Sequence, residues 1–497
     1  MALLPVVVVM FYFTASGHFG YTPDDTFIYL QFAKNIIHGN GVAFNAGEAT
    51  YGFTSPLWLF IVALGGSFGI DLPVAAKAVD LLMASGAVIL FCVAAYELIR
   101  DMVVAMLATL VFSLNIWLLR WAGSGMETSF SVLMILASFL FCLRNEYLLS
   151  VIMAALLALV RPEAALFVAF IAADIFVNSH DKHSALRLSA KLAVVYGAII
   201  APWLIYAYAT FGTVIPNTAL AKSPSGMSLS RLGAGVWNIG SIVAASDGVV
   251  VLALIIAGTV LWSKLRTATE DVRFFYFRQS LVGLGWAAAL PLVYLLRNVT
   301  VVSRYMLLVT PFIGLLAFAY TFGALMRSRY HAYAYACMFL FTACCVLQSQ
   351  LVYRLVVAPG IEAFESGMDT SLVPIGVWLK EHTRPDETVL SWDIGAVGYY
   401  SERKICDAAG LVTPGLIPYV RRGVQLNEMA DEKLYAPFCR VKYIVHRDDR
   451  PNALAGNASL VPLFSKPFYA MELLKPRPDY YTVYQVADAD VHLKEGQ

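Results

Sequence analysis

Charge is scarce in this sequence. Of its 497 residues only 14% are Asp, Glu, Lys or Arg, and 35 basic against 34 acidic side chains leave almost no net charge. That balance excludes the broad basic field with which proteins attract nucleic acid, so no nucleic-acid partner is expected. The seven cysteines lack metal-ligand spacing: Cys92, Cys142, Cys337, Cys344 and Cys345 lie in apolar runs and read as small packing residues. Cys406 and Cys439 fall in a polar C-terminal stretch, where they can pair if that stretch lies outside the cytoplasm. The opening "MALLPVVVVMFYFTASG" has neither the basic n-region nor the cleavage site of a signal peptide and reads as a short first membrane helix. No internal repeat or low-complexity segment is found.

Apolar residues dominate instead, at 59% of the chain with a mean hydropathy of +0.68, which indicates a polytopic α-helical membrane protein. Apolar runs predict eleven spans, at about 2–17, 73–98, 102–120, 128–143, 148–161, 163–178, 189–210, 247–262, 280–297, 304–326 and 331–353. Residues 55–69 form another apolar run, but Gly65, Gly66 and Gly69 interrupt it, and it reads as interfacial or half-penetrating. Loop charge sets the sidedness. With the N-terminus inside and 55–69 not spanning, eleven Lys and Arg fall in inner loops and seven in outer ones. Counting 55–69 as a span reverses that bias. The first transmembrane domain is therefore expected over 1–353, with an extracytoplasmic loop at 18–72. From 354 to 497 the composition turns polar and proline-punctuated, which predicts a small extracytoplasmic α/β domain. Its elements are a helix at "SLVPIGVWLKEH" and strands at "ETVLSW", "VKYIVH" and "YYTVYQV".

Polar residues gather at the outer ends of the helices, whereas the helix centres hold few ionisable groups, unlike an ion-coupled transporter. The most conspicuous are Asp24 and Asp25, followed by "TFIYLQFAKNIIHGNGVAFN", whose spacing gives a helix with one apolar face able to lie along the bilayer. A carboxylate pair there either caps the helix or serves as a base for a hydroxyl attacking a lipid-phosphate sugar. The departing phosphate then needs cations, for which Lys222 and Arg304 are candidates. Other outer-face stretches are "YGFTSPLW", "SGMETSF", "LVRPEA", "IPNTALAK" and "SRYMLLVTP". Any one of them can be loop geometry, since Pro56, Pro162 and Pro216 start or end helices and Arg161 can simply pair with Glu163. Their number on one side favours function.

The ordered succession from "DDTFIYLQFAKNIIHGNGVAFNAGEATYGFTSPLW" through "SGMETSF", "VRPEA", "IPNTALAK" and "SRYMLL" to "WDIGAVGYYSERKICDAAGL" resembles the GT-C membrane glycosyltransferases. It is most similar to the branch typified by the terminal arabinofuranosyltransferase of mycobacterial cell walls. The resemblance implies an inverting transfer of a sugar, arabinofuranose in that branch, from a polyprenyl-phosphate donor to an envelope glycan or lipid acceptor. It implies a bacterial inner membrane location with the C-terminal domain outside. Asp24 and Asp25 match the catalytic acidic pair, Asp24 being favoured as the base. Glu127, Arg161, Glu163, Asn217, Lys222, Arg304 and Tyr305 match substrate-binding motifs, joined by Tyr51, Thr54 and Asp393. Trp392 and Cys406 depart from the family pattern. No cofactor is implied firmly; some members hold a divalent cation, but no ligand set can be specified here. The competing classes are a transporter of lipid-linked glycan, which calls for midplane charge, and an envelope sensor or scaffold, which needs no carboxylate at the membrane rim.

Overall fold

The structure is a computed structural model that describes residues 3–221, 229–266, 268–469 and 477–487. The chain divides into two compact units, neither contiguous in sequence. The first comprises Met1–Phe19, Lys77–Leu204 and Met227–Val357, and the second Gly20–Ala76, Ile205–Gly226 and Ala358–Gln497.

The first unit is a helical bundle. Among the described residues, five helices are long and apolar enough to cross a membrane: Leu72–Ile99, Lys182–Phe211, Leu229–Leu265, Val272–Leu296 and His331–His382. Shorter apolar helices include Leu4–Ser16, Met102–Ser113, Thr128–Leu143, Tyr147–Val160 and Thr310–Met326. Of the eleven spans expected from the sequence, several fall on helices shorter than a membrane crossing needs, and the ends differ, with 163–178 split into a turn at Pro162–Leu166 and the helix Phe167–Asn178. The run over 102–120 breaks because Asn115 accepts from the Trp117 and Leu118 amides and starts the separate helix Ile116–Trp121. The helix expected over 247–262 begins instead at Leu229, which moves Asp247 from an end to the interior. There the backbone kinks, at φ −129° and ψ 21°. Gln348 repairs the broken ladder by donating to the Ala244 carbonyl and accepting from the Val249 amide, each at 2.8 Å. Aromatic contacts fill the bundle, with Phe91 stacked on Phe112 at 4.2 Å and Phe167 edge-on to Trp286 at 5.2 Å.

The second unit is built on a five-stranded sheet: β1 (Thr388–Ser391), β2 (Lys404–Asp407), β3 (Val441–Asp448), β4 (Leu460–Phe468) and β5 (Asp479–Val486), in the order β2-β1-β3-β5-β4. β1 pairs in parallel with β2 and β3, and β5 pairs antiparallel with β3 and β4. Three of these strands were legible as β-branched and aromatic runs. β4 was hidden by Pro462 and Pro467, residues tolerated because it is an edge strand with an irregular register. At the other edge, the Asn45 side chain stands in for a missing strand: its amide donates to the Ile405 carbonyl and its oxygen accepts from the Ile405 amide, both at 2.9 Å. Cys406 and Cys439 form a disulfide within the core cluster that includes Leu390, Met429 and Ile444.

The first loop folds as part of this unit. Asp24–Ile37 is a helix, as its apolar periodicity requires, and Phe27 packs against Tyr399 and Tyr400. Pro56–Ser67, within the run expected to be interfacial, is an apolar helix of 12 residues, about 18 Å long.

Candidate active site

Asp24 and Asp25 occupy the first turn of their helix, where negative charge meets the positive end of the dipole. Neither caps that helix, whose N-cap residue is Pro23. Asp24 instead reaches the start of another helix, Gly395–Ser401: its Oδ2 accepts from the Gly395 amide at 2.9 Å and its Oδ1 from the Ala396 amide at 2.8 Å. The approach is so close that a Cβ on Gly395 would lie 1.9 Å from the Asp24 carbonyl oxygen. Burial, and then the negative charge of Asp393, push the Asp24 carboxyl up to about 7, against the opposing pull of the two amides.

Asp393 lies in the turn between β1 and that helix. Its Oδ2 accepts from the Tyr481 hydroxyl at 2.7 Å and pairs with Arg447 Nη1 at 3.1 Å. Burial and the Asp393 charge raise the Tyr481 hydroxyl well above its usual range, so it stays a neutral donor. Arg447 and Tyr481 are opposite one another on β3 and β5. No motif in the sequence marks them. The available signal was position, because Arg447 lies at the C-terminal end of a strand, where ligands of parallel sheets gather.

The remaining expected residues of this unit hold its loops together. Tyr51 stacks on Phe211 at 5.1 Å, and the Tyr29 hydroxyl meets Thr54 Oγ1 at 3.3 Å. Asn217 donates its backbone amide to the Tyr51 carbonyl and its side chain to the Leu411 carbonyl, each at 2.9 Å. Lys222 lies outside the described residues.

The first unit brings Glu127, Arg161, Glu163, Arg304 and Tyr305 together. Arg161 Nε is 3.2 Å from Glu127 Oε1, and Arg161 Nη1 donates to Glu163 Oε1 at 3.3 Å. Tyr294, which the motifs did not flag, donates to the same Glu163 oxygen at 3.0 Å and stacks on Tyr305 at 5.4 Å. Arg161 lies 4.9 Å over the Tyr305 ring, and Arg304 5.4 Å over that of Trp121. Asp80 Oδ2 accepts from Ser124 and from the Gly125 amide, which shapes the "SGMET" turn. Glu127 Oε2 and Arg161 Nη2 are buried with no hydrogen-bond partner among the described residues, an arrangement that suits a polar ligand or water. No group of three or more His, Cys, Asp or Glu placed to hold a metal occurs among the described residues. Asp24 and Asp25 alone do not make up a ligand set for a divalent cation, and no step is derived through one.

No curated protein matches this chain. A family model described as a domain of unknown function (DUF8728) matches residues 363–490. Among solved structures, ArnT from Cupriavidus metallidurans in the apo state is similar over 98% of this chain and 98% of its own, at 14% identity and a TM-score of 0.58. The same enzyme bound to undecaprenyl phosphate gives 13% identity, 97% of each chain and a TM-score of 0.57. The Archaeoglobus fulgidus oligosaccharyltransferase, in complex with Zn and sulfate, is similar at 13% identity over 88% of this chain and 67% of its own, with a TM-score of 0.60. At such identities the likeness establishes the fold. This is a multi-pass membrane protein of the GT-C fold with a small C-terminal sheet domain.

Proposed function

We propose that the protein is an inverting glycosyltransferase that moves a sugar from a polyprenyl-phosphate donor to an envelope glycan or lipid acceptor. The observation that carries this reading is the Asp24 carboxylate, held by two amides beside a second carboxylate, with a basicity brought near neutrality. A base so tuned suits proton transfer at ordinary pH. As the acceptor oxygen attacks the anomeric carbon, its proton passes to Asp24. The bond to phosphate breaks on the opposite face, and the lipid phosphate leaves with the electron pair. Each Asp24 oxygen keeps one lone pair beyond those the amides engage. Asp25 orients the reacting sugar, and Lys222 is assigned to the departing phosphate. Glu127, Arg161, Glu163 and Arg304, which cluster in the helical unit, are assigned to binding a polar part of a substrate. The binding of undecaprenyl phosphate by a protein of the same fold supports a lipid-phosphate donor. Arabinofuranose as the sugar rests on the motif succession alone. The test is release of polyprenyl phosphate from a panel of polyprenyl-phosphate sugars, followed by mass spectrometry: Asp24→Asn and Asp25→Asn should each abolish it, and full activity in both would refute the assignment.

The reading also places the sheet domain outside the cytoplasm of a bacterial inner membrane. The Cys406–Cys439 disulfide supports this, because such bonds persist in oxidising compartments. A lipid-linked glycan transporter is favoured by one observation, the buried carboxylate Asp247 within a long apolar helix. If Asp247→Asn stopped lipid movement while Asp24→Asn did not, that reading would replace the first.

A further inference from the structure

The order β2-β1-β3 of the parallel strands means that the chain leaves β1 toward opposite sides of the sheet for its next two strands. The crevice at the carboxyl ends of β1 and β3 is therefore the topological switch point, the usual ligand position of such sheets. Here the chain's own groups occupy it. Asp393 follows β1, Arg447 lies near the end of β3, and Asp24 accepts the amides of Gly395 and Ala396 just beyond. The Asp393 carboxylate binds Arg447 and Tyr481 together.

We infer that Arg447 is a positioning residue: by neutralising and orienting Asp393, it sets how strongly the Asp24 carboxylate holds its proton. The inference rests on the assignment of Asp24 as the base. Several charged and titratable groups act on this pair. Asp25 faces Asp24 from its own helix, Asp393 from the turn after β1 and Tyr481 from β5. Arg447 reaches Asp24 through Asp393 and has Asp479 beside it. Within that set Asp393 is the largest neighbouring charge on Asp24. A negative neighbour favours the protonated carboxyl, and a cation on that neighbour relieves the effect. Removing the cation and removing the anion must therefore act in opposite directions, which a loss of folding alone would not produce.

The experiment is chemical titration of Asp24 in the full-length protein in nanodiscs, using a water-soluble carbodiimide with glycinamide and peptide mass spectrometry from pH 5 to 9. Only the protonated carboxyl reacts, so no substrate is needed. Arg447→Gln should raise the midpoint by about one pH unit and Asp393→Asn should lower it by about as much. Arg447→Lys should return it toward that of the unaltered protein, and Tyr481→Phe should raise it by less than Arg447→Gln. If Arg447→Gln does not accumulate as folded protein, Tyr481→Phe set against Asp393→Asn carries the same comparison of opposite shifts. Midpoints that stay in place, or that move together for Arg447→Gln and Asp393→Asn, would overturn the inference. The pH dependence of polyprenyl phosphate release is read in parallel. A midpoint that moves while the acid limb of the rate stays fixed would leave the inference standing and refute Asp24 as the base.

Discussion

Gly395 shows how much of the site depends on single atoms. Its missing side chain lets the Asp24 backbone come within contact distance, and an added methyl would meet both the Asp24 carbonyl and its carboxyl carbon. Gly395→Ala should therefore cost about 1–3 kcal/mol, the usual range for forced overpacking, and should reduce transfer more than tenfold by displacing the carboxylate. Thermal unfolding and the release assay read the two effects separately. Asp24 itself predicts a pH dependence. Its folded carboxyl is raised to about 7, so the base is protonated below that value, and activity should rise with pH through it. The sign for stability is opposite. A raised carboxyl stabilises the fold fully below its ordinary pKa, and that contribution is lost as pH climbs through the folded value. In the helical unit, Arg161→Met would leave Glu127 and Glu163 without their shared cation at a buried site. The expected loss is about 3–5 kcal/mol, visible as a lower melting temperature, and Glu127→Gln in the same chain should recover part of it.

Among the elements, the disulfide and the Asn45 contact hold the same short edge strand. Linking positions 33 residues apart should contribute about 3–4 kcal/mol through loss of chain entropy in the unfolded state. Cys406→Ser with Cys439→Ser should lower the melting temperature by that equivalent, and reduction of the unaltered protein should do the same. Asn45→Ala should remove two hydrogen bonds from β2, at about 1 kcal/mol each. The elements differ in how far the sequence revealed them. Helices of the bundle were legible because a membrane requires long apolar runs, and β3 and β5 because their aromatic and β-branched residues have no other use in a polar stretch. β2 was not, since "KICD" is four residues long and its outer neighbour is a side chain from position 45. The site followed the same division. Acidic and basic residues inside an apolar chain stood out, so Asp24, Glu127, Arg161 and Arg304 could be named. Arg447, Tyr481 and Tyr294 could not, because each is ordinary in its local sequence and gains meaning only from partners across the fold.

For the whole molecule, the decisive property is sidedness. The sidedness expected from the sequence puts eleven Lys and Arg in inner loops and seven in outer ones, provided residues 55–69 do not cross. The helix there, Pro56–Ser67, has 12 residues, the same length as Met102–Ser113, so the bias rests on the sequence reading of 55–69 as interfacial. Along the chain, the single long apolar helix His331–His382 lies between the basic loop at Arg327 and Arg329 and the first strand of the sheet. The two ends of that helix should therefore open to different compartments. Asp386 is three-quarters exposed and Arg329 is exposed, so each can be replaced by a reporter without disturbing packing. With the parent protein as control, Asp386→Cys should react with a membrane-impermeant maleimide in intact spheroplasts, and Arg329→Cys only after permeabilisation. The opposite pattern would put the disulfide and the Asp24 carboxylate in the cytosol. A carbodiimide titration of Asp24 would still be interpretable there. Transfer from a lipid-phosphate sugar at the outer face would not be.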